Sequence, residues 1–199
     1  MKKVAVILSG CGHRDGAEIT ESVSTLIAIG EMKASYQVFA PQDLMAESGK
    51  ISRGKIKDVK ELKSSDFDAL VFPGGYGVAL HLCSFAAEGS KCKVNPEIEL
   101  VIKSFHSASK PIGGICIAPA LIARVLGSSG VTVTIGYDKD TSMEVEKTGA
   151  HHENCAVDDF VTDRENKVVT TPAYMYDDAT PAQVFKGVRK AIQELIEMA

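Results

Sequence analysis

The sequence predicts an α/β fold in which helices cover both faces of a mainly parallel sheet, and three observations predict it. Lys2 to Leu8 is an apolar, largely β-branched run without period-two alternation, the mark of a strand buried on both faces. Further runs of this kind alternate with segments of helical period along the chain, as in repeated βα units. Lys110 to Leu121, KPIGGICIAPAL, then reads as an apolar strand, a tight turn carrying one cysteine, and a helix start. With 199 residues, 45% of them hydrophobic, and 17 glycines, the chain suits one domain spanning 1–199 with a doubly covered sheet.

The elements follow in order. After the first strand comes a glycine-rich turn, Ser9 to Gly12, and then a helix from about Asp15 to Met32 with Val23, Leu26, Ile27 and Gly30 as its apolar or small stripe. Tyr36 to Ala40 is the second strand, and Pro41 to Lys63 is polar and irregular, a loop with room for one short strand. Asp68 to Phe72 reopens the sheet and runs into FPGGYG, where Gly74 and Gly75 can present bare amides to a ligand. Phe85 to Lys93 shows no period, whereas Asn95 to Ala108 carries Ile98, Val101, Ile102 and Phe105 at helical spacing behind an Asn-Pro start. Pro119 to Leu126 is a helix stopped by Gly127, and Val131 to Ile135 is a β-branched strand that would bring the parallel sheet to five. Met143 to Lys147 suits a short helix. Phe160 to Thr162 and Lys167 to Thr171 flank a turn and predict a C-terminal hairpin, and Pro181 to Met198 docks Val184, Phe185, Val188, Ile192 and Leu195 on the sheet.

The chemistry centres on Cys116. Gly114 and Ala118 stand two positions either side of it, as small residues do in a nucleophile elbow, where larger side chains clash with the bent backbone. Such a turn lifts the thiol off the C-terminal edge of the sheet and over the first amides of the next helix, whose partial positive charge favours thiolate. Pro119 suits the first turn of that helix. The competing reading of Cys116 is a buried structural cysteine, a common fate for this residue type.

Asp15 to Glu18, DGAE, fits a variant capping box. It also leaves the sheet edge where open α/β sheets bind ligands, so Glu18 is either a cap or a carboxylate facing the thiol. SGCGHRDG spaces its glycines unlike a dinucleotide fingerprint, and no acidic residue closes the second strand, which argues against nucleotide binding. His151, His152 and Cys155 have no second cluster to complete a zinc site and read as a solvated loop, while His13, His81 and His106 are surface or cleft residues. Net charge −4 and pI near 5.7 argue against nucleic acid as a partner. The apolar run Val4 to Leu8 is far too short for a span and lacks a signal-cleavage pattern. Five irregularly spaced cysteines suit a reducing compartment. The expected location is therefore the cytoplasm, with no membrane association, or an organelle matrix where a presequence has been removed.

With these motifs in hand, the chain resembles the PfpI-like branch of the class I glutamine amidotransferase-like superfamily, and within it the ElbB type, named for enhancing lycopene biosynthesis. The matching stretches are VILSGCGHRDGAEITE, ISRGKI, DALVFPGGYGVA, KPIGGICIAPAL and KVVTTPAYM, which together span nearly the whole chain; the SGCG and TTPAYM runs are specific to this subgroup. The resemblance implies a flavodoxin-like three-layer sandwich with a mainly parallel sheet plus a C-terminal β-hairpin. It implies Cys116 as nucleophile, Glu18 as the carboxylate beside it, and the amides of Gly75 and Ile117 as the oxyanion-stabilising pair, with Gly74 next to them in the substrate-binding turn.

Two departures narrow the chemistry. Ile117 stands where PfpI-type peptidases carry a histidine after the cysteine, and Pro172-Ala173-Tyr174 stands where amidotransferases place a His-x-Glu pair, so neither a peptidase nor a glutaminase triad is expected. The segment between Pro41 and Ile51 is also shorter than is usual in the subgroup. The resemblance implies a cofactor-independent glyoxalase acting on a small dicarbonyl, glyoxal to glycolate, through a Cys116 hemithioacetal, related to protein deglycase activity. It implies a homodimer and no metal. The alternative is a redox-sensing or regulatory binding protein in which Cys116 is oxidised and turnover is negligible.

Overall fold

The computed structural model describes residues 1–199. Its strands are β1 (Lys3–Ile7), β2 (Ser35–Ala40), β3 (Ile56–Asp58), β4 (Ala69–Phe72), β5 (Ile112–Ile115), β6 (Thr132–Val133), β7 (His151–His152), β8 (Val161–Asp163) and β9 (Val168–Thr171). Its helices are α1 (Ile19–Glu31), α2 (Met45–Ser52), α3 (Phe85–Glu88), α4 (Pro96–Ser107), α5 (Ala118–Leu126), α6 (Lys139–Glu146) and α7 (Pro181–Glu197). Seven strands form one sheet in the order β3-β2-β1-β4-β5-β9-β8, parallel throughout except for the β8–β9 hairpin. This is a flavodoxin-like α/β architecture.

The strands lack alternation because both of their faces are covered. Ala5 and Ile7 of β1 and Leu70 and Phe72 of β4 point into a core closed by α4 and α5, while Val4, Val6, Ala69 and Val71 point into a second core closed by α1 and α7. Burying both faces of such strands is worth roughly 2 kcal/mol per large aliphatic side chain. In β5, Gly113 and Gly114 carry no side chain because a Cβ on Gly113 would lie 3.0 Å from Val71 Cγ2, and one on Gly114 2.7 Å from Ile122 Cδ1. The helix after the elbow therefore packs directly on the strand that delivers Cys116.

Several expectations need correction. Val131 to Ile135 does not join the main sheet: β6 pairs with β7 in a separate two-stranded sheet, because β9 occupies the free side of β5 in parallel register from Ile112↔Val168 to Ile115↔Thr171. The short strand in the polar segment, β3, is real and forms the sheet edge, and α2 folds within what reads as loop. Phe85 to Lys93 holds α3 and one further turn. In α7, Phe185 is only half-buried, while Val184, Val188, Ile192 and Leu195 are buried as expected.

α1 departs most. It starts at Ile19 with Glu18 as N-cap, four residues later than expected. Its expected inner stripe is turned outward: Val23, Ile27 and Gly30 are exposed, and the buried face is Glu21, Ser22, Ser24, Thr25, Ala28 and Ile29. This inversion is possible because the inner hydroxyls satisfy themselves, Ser22 donating to the Glu18 carbonyl at 2.6 Å and Thr25 to the Glu21 carbonyl at 2.8 Å. Small side chains then let α1 pack closely against α7 and the sheet.

Candidate active site

Cys116 sits between β5 and α5 with φ +61, a left-handed conformation that costs a non-glycine residue about 1–2 kcal/mol. Its own N–H donates to the Thr171 carbonyl at 2.9 Å, so the parallel ladder with β9 continues through the turn and holds the strained residue. Pro119 at the start of α5 needs no donor there. The side chain points into the core shared by α1 and α7, with only 7% of the residue exposed.

The turn after β4 is stitched to the segment before α1. Glu18 donates its N–H to the Gly74 carbonyl at 2.9 Å, Gly77 to the Gly16 carbonyl at 3.0 Å, and Tyr76 to the His13 carbonyl at 2.9 Å. These contacts leave no space for side chains. A Cβ on Gly75, whose φ is +98, would lie 2.3 Å from the Glu18 nitrogen, and one on Gly74 would lie 2.4 Å from Cys116 Cβ and 2.6 Å from Glu21 Oε2. Gly74, Cys116 and Glu21 thus converge on one point, and the amides of Gly75 and Ile117 face the Cys116 sulfur.

The carboxylate against the thiol is Glu21 rather than Glu18. Glu18 is half-buried at the wall of the cleft, and its Oε2 accepts from the Glu21 N–H at 2.7 Å as the helix cap. Glu21 is fully buried. Its Oε1 accepts from the Tyr174 N–H at 3.2 Å. Its Oε2 meets no partner at full hydrogen-bond geometry; the groups that face it are the Cys116 thiol and the Gly74 amide. The reason is helical: once the helix begins at Glu18, position 21 lies one turn on and rotates inward, whereas the cap stays at the mouth.

Electrostatics follow from burial. Glu21 is pushed up to about 8, first by loss of water and then by the charge of Glu18. Burial also pushes the Cys116 thiol well up, and a charged Glu21 would push it further, while the amides of Gly75 and Ile117 pull it down. The helix start alone therefore does not produce the thiolate expected from sequence, because desolvation outweighs a helix-end charge worth about 1 kcal/mol. At neutral pH Glu21 is protonated, its opposing charge is absent, and its proton lies beside sulfur.

Cys116 and Gly75 open onto a cleft of about 540 Å³ whose walls include Tyr76, Ile117, Tyr174 and Met175, with His13, Glu18, Thr141 and Asp177 also lining it, while Glu21 stays buried behind the thiol. Cys11 lies outside that lining, on the side of Lys50. His81 bonds the Asp15 carbonyl at 2.9 Å, and His106 bonds Asn166 Oδ1 at 3.3 Å, both away from the thiol. His152 Nε2 accepts from the Ile135 N–H at 3.2 Å while His151 is exposed. No group of three or more His, Cys, Asp or Glu side chains is close enough to hold a metal ion.

The sequence profile of the DJ-1/PfpI family matches residues 13–177, which include the cap, both glycines of the PGG turn and the elbow. The chain belongs to the DJ-1/PfpI family. Its relatives in that class I glutamine amidotransferase-like group include a human protein, "glutamine amidotransferase-like class 1 domain-containing protein 3, mitochondrial", 38% identical over 98% of this chain and 83% of its own length. The zebrafish "ES1 protein, mitochondrial" is 32% identical over 98% of this chain and 85% of its own. Among solved structures, an Ehrlichia chaffeensis "isoprenoid biosynthesis protein with amidotransferase-like domain" superposes with TM-score 0.92 at 31% identity, covering 100% of this chain and 99% of that one. Sequence reasoning passed over Glu21, which faces the thiol, and Tyr76 and Tyr174, which line the cleft. A helix start placed at Glu18 would have revealed Glu21, since position N3 is where a first-turn glutamate turns toward the preceding loop.

Proposed function

We propose that this DJ-1/PfpI protein is an ElbB-type, cofactor-independent glyoxalase, converting glyoxal to glycolate at Cys116 with Glu21 as the proton-carrying group. The observation that carries the reading is the buried Glu21 carboxyl, raised to about 8, facing the Cys116 thiol. The reacting form has already lost one proton to solvent, so that Glu21 and Cys116 share a single proton. Sulfur adds to one aldehyde carbon, a C–S bond forms, the carbonyl electron pair moves to oxygen within reach of the Gly75 and Ile117 amides, and that oxygen takes the shared proton, leaving Glu21 ionised. Glu21, now ionised, removes the proton from the hemithioacetal carbon, and the resulting enediol takes a proton at the neighbouring carbon. The product is a thioester of glycolate, which water cleaves to release the acid and restore the thiol. Electrons are redistributed within the substrate, so no external oxidant enters.

In this reading Glu18 is a cap and wall of the cleft rather than the acid–base group. The names of the human and zebrafish relatives support an organelle matrix as the place of action, and no helix is long and apolar enough to cross a membrane. Steady-state formation of glycolate from glyoxal tests the proposal. The expected result is turnover in the wild type, none in Cys116→Ser, and a rate lowered roughly a hundredfold in Glu21→Gln. Full activity in Cys116→Ser overturns the mechanism. Negligible wild-type turnover with oxidation-dependent partner binding favours the sensor reading instead.

A further inference from the structure

We propose that the Cys116 cleft selects uncharged or ammonium-bearing electrophiles and excludes anionic ones. The proposal rests on reading this cleft as the reaction site. Its lining contains the carboxylates Glu18 and Asp177 and no lysine or arginine. Neither carboxylate takes part in any of the eight ion pairs of the molecule. Glu18 gives one oxygen, Oε2, to the cap, and its Oε1 enters no hydrogen bond. The cations nearest in sequence, Arg14 and Lys139, are exposed and line no part of the cleft.

A second observation points the same way. Behind the sulfur, Glu21 is fully buried and its Oε2 has no partner at full hydrogen-bond geometry, so the carboxyl that faces the Cys116 thiol from within the core is also an acid. Tyr76 and Tyr174 line the cleft with aromatic rings, whose faces attract a cation within about 6 Å and repel an anion. A substrate carboxylate or phosphate entering here would lose hydration, face two like charges, and find no Lys or Arg partner. An ammonium group would meet Glu18, Asp177 and the rings. The substrate class is thus a small 2-oxoaldehyde with a neutral or cationic substituent.

The charge preference is measurable without turnover. Methanethiosulfonates carrying a trimethylammonioethyl, a methyl or a sulfonatoethyl group react alike: the Cys116 sulfur bonds to the reagent sulfur, the S–SO2 bond breaks, and methanesulfinate leaves with the electron pair. Rates at Cys116 are followed by mass spectrometry at pH 7, and each is divided by the reagent's rate with a free small thiol. The expected normalised rate is roughly tenfold higher for the cationic reagent than for the anionic one. In Glu18→Gln/Asp177→Asn that ratio falls to within about twofold, and in the wild type 0.5 M salt narrows it. Glutamine keeps the capping oxygen and Asp177 is exposed, so both substitutions suit the folded protein. An anionic rate equal to or above the cationic one overturns the proposal, as does a ratio unchanged in the double variant. Glyoxal turnover on the same preparation separates the two ideas: turnover without charge preference overturns this proposal alone, and charge preference without Cys116-dependent turnover overturns only the glyoxalase reading.

Discussion

Tyr174 donates its backbone N–H to Oε1 of Glu21 at 3.2 Å, across 153 residues of sequence. Tyr174 follows Ala173, which is buried with φ +45, so a strained segment beyond β9 orients a side chain on α1. Engaging Oε1 leaves Oε2 for the thiol. The proton of a neutral Glu21 is therefore held on the oxygen that faces Cys116, where it can pass to or from sulfur.

Replacing Glu21 by Gln keeps the volume and the acceptor for Tyr174 but removes the transferable proton. Glyoxal turnover should fall roughly a hundredfold, with the half-saturating concentration nearly unchanged. Glu18→Gln should lose far less, because its Oε1 can still cap, and Glu18→Ala should cost about 1 kcal/mol of stability. Kinetics and thermal midpoints of the three variants check this. A larger rate loss in Glu18→Gln than in Glu21→Gln would return the acid–base role to Glu18.

The raised Glu21 also predicts how stability varies with pH. The folded carboxyl titrates at about 8 against 4.5 for the free group, so between these values the unfolded chain has lost a proton that the native one keeps. Stability tied to this group is fully present below pH 4.5 and is lost as pH rises toward 8. Wild type should therefore lose stability relative to Glu21→Gln between pH 5 and pH 8, by a few kcal/mol at most. Parallel urea melts at the two pH values read the difference, and a gap that stays constant contradicts the assignment.

Gly74→Ala should damage both fold and site. Its Cβ would fall 2.4 Å from Cys116 Cβ and 2.6 Å from the Ile115 carbonyl oxygen, contacts that backbone and core must move to relieve. A loss of about 1–3 kcal/mol together with abolished turnover is expected. A fully active, equally stable Gly74→Ala would show that the turn has slack.

The left-handed turn at Cys116 can be weighed by comparing two truncations. Cys116→Gly and Cys116→Ala both remove the thiol, but only glycine accepts φ +61 without strain. The glycine variant should be the more stable by about 1 kcal/mol, which differential scanning calorimetry resolves. Equal midpoints would mean that the elbow stores no strain.

The chain should form a homodimer, and the segment around Phe85 is not the surface it would cover, since Phe85 is buried within its own chain. The exposed apolar residues Ile19, Val23 and Ile27 instead form a stripe at four-residue spacing on α1. Light scattering should give twice the 21.2 kDa chain mass, and Ile27→Lys should lower it toward that of one chain. A wild-type particle of one chain mass at micromolar concentration removes the prediction.

The sequence by itself determined the parts that depend on neighbours along the chain. Doubly covered strands announce themselves as unbroken apolar runs, the Asn95-Pro96 cap and the helix behind it are local, and the elbow needs only Gly114, Cys116, Ala118 and Pro119 within a few positions of one another. Tertiary structure decided what depends on rotation and on distant partners. Periodicity along α1 offers more than one face, and which of them turns inward was settled by its packing on α7 and by the turn after β4, which put Val23 and Ile27 outward and Glu21 inward. Whether Val131 to Ile135 joined the main sheet depended on β9 taking the side of β5 first. The state of the thiol was likewise beyond local reading. A helix start acts locally and weakly, whereas the desolvation that raises Cys116 and Glu21 comes from residues brought together only when α1, α7 and the turn after β4 close over β5.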